Sequence, residues 1–292
     1  MTKKTYLGIS VIGVAIFVVL WFSVAWHTPL SSEENNTLAS VGAIVPSPFH
    51  YAFSVNSKVK EVGSMEESTS PYWWVNSGAY MYLKDGVGMT IQGSLPENDP
   101  RRISYASYDP SATDGGFHPQ NIFRLITRSK WQNFSQEAYF KITNYNLSAS
   151  THRAGDNGLL LFSHYVDQYN LYYAGIRVDG TVVIKKKKDQ TYYIIANKPF
   201  IAGAKYDRET NPNLLPINQW IGVKSEIRNN NNGTVNIKLY IDKNNSKRWT
   251  LALDVTDDGK SYGGTAITDE AYAGIRTDFM DVLFDDYRII KF

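Results

Sequence analysis

The chain has 292 residues, with 30 lysines and arginines against 28 aspartates and glutamates, no cysteine, and 43% hydrophobic and 14% aromatic residues. This composition supports a sizeable buried core and argues against disorder, and the missing cysteines exclude disulfides, thiolate metal sites and a cysteine nucleophile. Lys3 and Lys4 are the only charges among the first 26 residues, so the remainder carries 28 of each sign, and without a basic excess no nucleic-acid partner is expected.

An apolar run from Tyr6 to Trp26 follows the two lysines. At about 1.5 Å per helical residue it spans roughly 30 Å, the thickness of a hydrocarbon core. Trp21, Trp26 and His27 suit the far interface. Lys3 and Lys4 before the run and Glu33 and Glu34 after it leave the N-terminus in the cytoplasm and the rest outside. Residues 1–26 are therefore expected to be a transmembrane signal-anchor in the cell membrane. The alternative is a signal peptide cleaved after Ala25, in the small-x-small stretch Ser23-Val24-Ala25, giving a secreted protein. Residues 27–70 read as an extracellular stem, polar from Ser31 to Thr37 and broken by Pro29, Pro46 and Pro48. Asn35, Asn133, Asn146, Asn232 and Asn244 each begin an N-x-[ST] sequon.

Residues 71–292 show short alternating segments and no convincing amphipathic helix. Val235, Ile237, Leu239 and Ile241 alternate with polar neighbours, as do Ile221, Val223 and Ile227, and then Trp249, Leu251, Leu253 and Val255. Trp220 and Trp249 are expected in the core with these aliphatics. The first two segments are joined through Asn229–Gly233, whose Asn-Gly end signals a hairpin. A second hairpin joins Leu171–Val178 to Thr181–Lys188 around Asp179-Gly180, read as a two-residue type I′ loop. That pairing places Tyr173 and Arg177 with Val182 and Lys186 on one face, and Tyr172 and Ile176 with Val183 and Lys187 on the other. Lysines 185–188 then divide between faces and serve to protect a strand edge. Further strands are expected near residues 79–83, 88–92, 121–127, 138–142, 158–165, 192–196, 271–276 and 282–290. A dozen strands with Gly, Asn and Asp turns and no fixed repeat predict an all-β, two-sheet antiparallel sandwich.

The segment Asn170–Gly180 with the lysine strand after it resembles the central hairpin of concanavalin A-like jelly rolls of the laminin-G and glucanase type. Gln219-Trp220-Ile-Gly-Val with Val235–Asp242, and Ala273-Gly274-Ile275-Arg276 with Phe284–Ile289, resemble their later strand pairs. The resemblance implies a concanavalin A-like jelly roll over about residues 72–292. That superfamily includes lectins, adhesion modules, glycosidases and lyases, so it leaves activity open. It also implies a structural Ca²⁺ held by a last-strand carboxylate. Asp285 is the expected ligand, with Asp278 and Asp281 close in sequence. An ion pair of Asp285 or Asp286 with Arg276 or Arg288 would serve the same buried charge.

Several side chains are candidates for a glycan surface. Tyr72, Trp73 and Trp74 could stack on sugar rings or plug the end of the sandwich. The paired-acid E-x-D-x-x-E pattern of jelly-roll glucanases is absent, which disfavours hydrolysis by that route. Arg124 and Arg128 lie four apart on one strand, His164 ends a Leu160-Phe162-His164 face, and Tyr173 points from the central hairpin. These resemble the inventory of jelly-roll alginate or glucuronan lyases, although the amide of their Q-I-H motif is missing at Phe162-Ser163-His164. The resemblance implies Arg124 and Arg128 neutralising a uronate, His164 as base and Tyr173 as acid. The expected function is a non-catalytic, lectin-like polysaccharide or glycan groove using Trp73, Trp74, Arg124, Arg128, His164, Tyr173 and Arg177. A uronate lyase on the same face, or an adhesion protein with a protein partner, are the alternatives.

Overall fold

The computed structural model describes residues 45–292. The expected anchor, residues 1–26, and the stem up to residue 44 lie outside the described residues. Among the described residues, no helix is long and apolar enough to cross a membrane.

Two antiparallel sheets face each other. The first, of nine strands, runs in space as β14 (Thr250–Asp257), β13 (Val235–Asp242), β12 (Trp220–Asn229), β7 (Phe134–Tyr145), β16 (Met280–Lys291), β5 (Val87–Met89), β4 (Tyr80–Lys84) and β2 (Ser57–Lys60). Its ninth strand, β1 (Phe49–Tyr51), pairs with β16. The second, of seven strands, runs β11 (Thr191–Pro199), β10 (Thr181–Lys188), β9 (Asn170–Arg177), β8 (Gly158–Asp167), β15 (Ala271–Asp278), β6 (Ile122–Trp131) and β3 (Trp73–Ser77). Inward positions of both sheets, among them Leu125, Phe140, Leu161, Val223, Ile237, Ile275 and Phe284, form one continuous core. The two-sheet antiparallel sandwich expected from the alternation is what forms.

Several expectations are corrected. The region read as stem contributes β1 and β2 to the nine-stranded sheet, because Phe49, Phe53 and Val59 carry enough apolar surface to join the core. Among the described residues there is one α-helix, α1 (Pro100–Tyr108). Its signal is a cap rather than an apolar stripe: Asp99 accepts a hydrogen bond from the Arg101 N–H at 2.8 Å and Pro100 starts the first turn. The turn after α1 packs directly on it, since a Cβ on Gly116 would lie 2.1 Å from the Arg102 carbonyl oxygen. Trp220 and Trp249 are half-buried rather than core residues, on the outer side of the nine-stranded sheet with Lys141 and Tyr139.

The most consequential correction concerns the β9–β10 hairpin. Gly180 has φ +77° but Asp179 does not have a positive φ, which a type I′ turn requires at both central residues. The loop instead takes three residues, and Lys185 pairs with Tyr173 and Lys186 with Tyr172. This one-residue difference exchanges the faces of β10 relative to β9. Lys186 therefore points into the core, fully buried, rather than guarding an edge. Its Nζ lies 2.9 Å from Asp257 Oδ2 and donates to the carbonyls of Gly264 at 2.8 Å and Thr265 at 2.9 Å. Asp257 is also fully buried and accepts the Tyr172 hydroxyl at 2.6 Å and the Gly259 N–H at 3.0 Å.

Removing one member of such a pair strands a charge. Lys186→Met is expected to cost about 3–5 kcal/mol in urea unfolding. The double variant Lys186→Met/Asp257→Leu should recover a substantial part of that loss. Equal losses in the single and double variants would show that the pair is not what the core relies on.

Candidate functional site

The outer face of the seven-stranded sheet is not a solvated polar surface. Ile126, Leu160, Phe162, Tyr165, Leu171, Tyr173 and Val183 form a second apolar cluster there, flanked by Met65, Trp74 and Tyr272. Across this floor run two adjoining cavities of about 670 and 590 Å³, which share Asp109, Ile122 and Arg276. One side is walled by residues 61–77, by α1 through Tyr105 and Tyr108, and by Arg124 and the β8–β9 turn. The other is walled by Tyr173, Arg177, Lys185 and Tyr192.

Arg276 on β15 stands where the two cavities meet. Its Nε donates to Asp278 Oδ1 at 2.7 Å and its Nη1 to the Tyr173 hydroxyl at 3.4 Å. Burial works against the charge, but Asp278, Tyr173 and Tyr192 outweigh it and hold the guanidinium pKa well above its usual value. Lys185 sits 5.6 Å from the Tyr173 ring and 5.2 Å from the Tyr192 ring, with Asp156 at 3.9 Å. Burial pulls its ammonium pKa below the usual lysine value, against the pull of Asp156. Burial pushes the Tyr173 phenol up, and Arg276 only partly opposes it. Tyr192 goes the other way. Burial pushes it up, but Arg276, the hydrogen bond with Tyr173 and Lys187 together hold its pKa below the ordinary phenol value.

Four of the expected site residues reach this groove. Tyr173 and Arg177 line one half, Trp74 and Arg124 the other. Arg124 donates to Gln168 Oε1 at 3.3 Å, and Arg177 is tied to Asp179 at 2.9 Å. Trp74 anchors the wall by donating its indole N–H to the Val62 carbonyl at 3.0 Å.

The other three do not. Trp73 is fully buried between the sheets, with ring centroids 4.9 Å from Tyr287 and 5.5 Å from Tyr51, so it is the plug and not a platform. Arg128 is buried beneath residues 68–70 and donates to the Ser70 carbonyl at 2.8 Å and the Ser68 carbonyl at 3.3 Å. His164 was expected on the Leu160-Phe162 face, but it lies in a bulge, with φ +46°, where the register of β8 shifts against both β9 and β15. The bulge turns it into the core, fully buried beside Phe134 and Tyr172, with its ring nitrogens 2.6 Å from the Ile267 carbonyl and 2.7 Å from the Gln132 carbonyl. It cannot reach a substrate.

Asp285 does not fit the expected Ca²⁺. Its half-buried carboxylate accepts the neighbouring Asp286 N–H at 2.7 Å. Asp286, also in a bulge at φ +50°, binds Lys247 at 2.6 Å and His50 at 3.3 Å. No group of three or more carboxylate or imidazole side chains suited to a metal occurs among the described residues. The enclosed carboxylate of the last strand is Asp281, which takes the Gly93 N–H and the side-chain amides of Gln120 and Asn146.

Arg276, Lys185 and Tyr192 went unassigned in the sequence. Arg276 was visible only as a partner for an acid, and Lys185 and Tyr192 join the groove only once the hairpin register is known. Of the sequons within the described residues, Asn146 is buried, while Asn232 and Asn244 stand on exposed turns.

No protein-family model matches the chain, and no curated protein matches it in sequence. Solved structures of similar fold include a carbohydrate-binding module, CBM66, from Bacillus subtilis, 13% identical with a TM-score of 0.46, covering 75% of this chain and 95% of that one. A GH43 protein from Bacillus licheniformis is 12% identical with a TM-score of 0.46, covering 83% of this chain and 39% of its own length. The alginate lyase Aly36B is 11% identical with a TM-score of 0.41, covering 85% of this chain and 98% of that one. These likenesses concern the β-sandwich architecture alone.

The electrostatics are directly checkable. One tyrosine should ionise below the ordinary phenol range in an ultraviolet titration of the folded protein, and Tyr192→Phe should remove that early step. An unchanged titration in the variant would refute the assignment.

Proposed function

We propose that the groove on the outer face of the seven-stranded sheet binds a glycan chain without cleaving it. The supporting observation is an apolar, tyrosine-rich floor long enough for two adjoining cavities and edged by four cations, of which Arg276, Arg177 and Lys185 each have a carboxylate neighbour. Sugar rings present flat C–H faces and a rim of hydroxyls, so they suit aromatic rings beside fixed donors and acceptors. Trp74 and Tyr192 offer the exposed aromatic surface, with Tyr165 and Tyr173 nearly buried beneath them, and Arg124, Arg177, Lys185 and Arg276 offer the donors. In this proposal the apolar N-terminal run carries the groove to the outside of the cell membrane.

A uronate lyase remains the second reading because of one pairing: Tyr192, with its pKa held down, and Lys185, with its pKa also held down, flank the Arg276 guanidinium. A depressed phenol can take a proton, and a cation can neutralise the carboxylate beside it. The roles expected for Arg128 and His164 pass in this reading to Arg276 and Tyr192.

The test is retention of the full-length chain on immobilised neutral and uronate-containing polysaccharides, with the eluate followed for newly formed unsaturated uronates. Binding that falls at least ~10-fold in Tyr192→Ala and Trp74→Ala, but holds in Trp220→Ala on the opposite sheet, supports the groove. Unsaturated product lost in Tyr192→Phe would transfer the function to the lyase. Absence of both retention and product would overturn the glycan reading.

A further inference from the structure

Away from the groove, beyond the turn that follows α1, three side chains stand in an order that the glycan reading does not use. Ser94 Oγ lies 2.9 Å from His118 Nε2, and His118 Nδ1 lies 2.9 Å from Asp114 Oδ2. We propose that Ser94, His118 and Asp114 form a nucleophile–base–orienter set that hydrolyses small acyl esters of a polar alcohol.

The geometry supplies each role. The carboxylate can only accept, so Asp114 fixes the proton on Nδ1 and leaves the Nε2 lone pair facing the serine hydroxyl. Asp114 is itself held by the Asn121 amide at 3.1 Å and by the Ser148 hydroxyl, and the backbone N–H of His118 is tied to the Thr113 carbonyl at 2.9 Å. Base and orienter are thus recessed, with side chains 24% and 27% exposed, while Ser94 is exposed. The approach to it is open: Gly93, at φ +77°, has no atom within 4 Å of where a Cβ would stand. The backbone N–H of Ser94 has no hydrogen-bond acceptor among the described residues, and in this proposal it donates to the oxygen that becomes negative during attack. A cavity of about 450 Å³ adjoins the set on the side of His118 and Asp114, which line it together with Asn144, Tyr145, Asn146 and Ser148, while Ser94 stands outside it. That lining suits a polar alcohol bearing a short acyl group rather than a long fatty chain.

The step balances without a further reagent. Ser94 Oγ bonds to the ester carbonyl carbon while His118 Nε2 takes its proton. The C–O bond to the alcohol breaks and the alcohol leaves with that proton. Water, deprotonated by the same nitrogen, then releases the carboxylic acid and restores the serine.

A fluorophosphonate probe tests this on the full-length chain, since it forms a stable Ser Oγ–phosphorus bond with loss of fluoride. The expected result is an adduct mapped to Ser94, absent in Ser94→Ala, and formed ~100-fold more slowly in His118→Gln. Hydrolysis of 4-nitrophenyl acetate should fall in parallel. Labelling in urea provides the reference should a variant fail to fold, and the native protein must react at least ~100-fold faster than the unfolded chain. Reaction at Ser94 no faster than in urea, or unchanged by His118→Gln in a folded variant, overturns the proposal. Because the probe carries no sugar, this outcome is independent of whether the groove binds a glycan.

Discussion

An ammonium group with no exposed surface must replace its whole hydration shell with protein atoms, and Lys186 does so between the two sheets, near one edge of the sandwich. Asp257 and two backbone carbonyls surround it, and Tyr172 and a backbone N–H complete the carboxylate. The lysine belongs to one sheet and the aspartate is the last residue of a strand in the other, so the contact fixes how the two sheets sit together. It also fixes the β9–β10 register, because a slip of one residue would expose Lys186 and send its neighbour inward. The present register is the one that leaves Lys185 outside, beside Tyr173 and Arg276. The groove depends on a charge buried on the opposite side of the same strand.

Bulges are the second structural device. Wherever one strand gains an unpaired residue, side-chain alternation reverses beyond it. At His164 this brings Tyr165, rather than the histidine, onto the outer floor with Phe162. At Asp285 and Asp286 it brings the second carboxylate out to Lys247 and His50 and leaves the strand's apolar residues facing the core. Reversals of this kind decide which polar residues can meet a ligand.

Three of the groove's four cations are locally compensated: Arg276 with Asp278, Arg177 with Asp179, Lys185 with Asp156. Compensation removes long-range attraction and leaves short-range hydrogen bonding and stacking as the means of selection. It also keeps donors in fixed orientations, which suits a ligand recognised by the positions of its hydroxyl groups. The Ser94–His118–Asp114 array differs in kind. Its polar groups act in series on one oxygen, and it lies on loops beside the sandwich end rather than on the sheet.

Strand alternation, turn residues and the absence of a fixed repeat were enough to establish an all-β, two-sheet sandwich, because period-2 burial is a local property of each segment. The same local signal placed Arg124, Tyr173 and Arg177 on strands where they do reach the groove. It failed for Arg128, His164 and the lysine run, because residue type cannot reveal the segment 68–70 that covers Arg128, the bulge at His164 or the conformation of Asp179 in a turn. Short polar α1 and strands β1 and β2 were hidden for a related reason: a cap and a few apolar side chains acquire meaning only against the surface they cover. Ser94, Asp114 and His118 lie within 25 residues of one another, yet nothing in their spacing distinguishes a hydrogen-bonded relay from an ordinary loop. The sequence by itself determined which segments bury a face; the tertiary structure alone decided which side chains share a point in space, since that depends on register, bulges and the partner a buried charge must find.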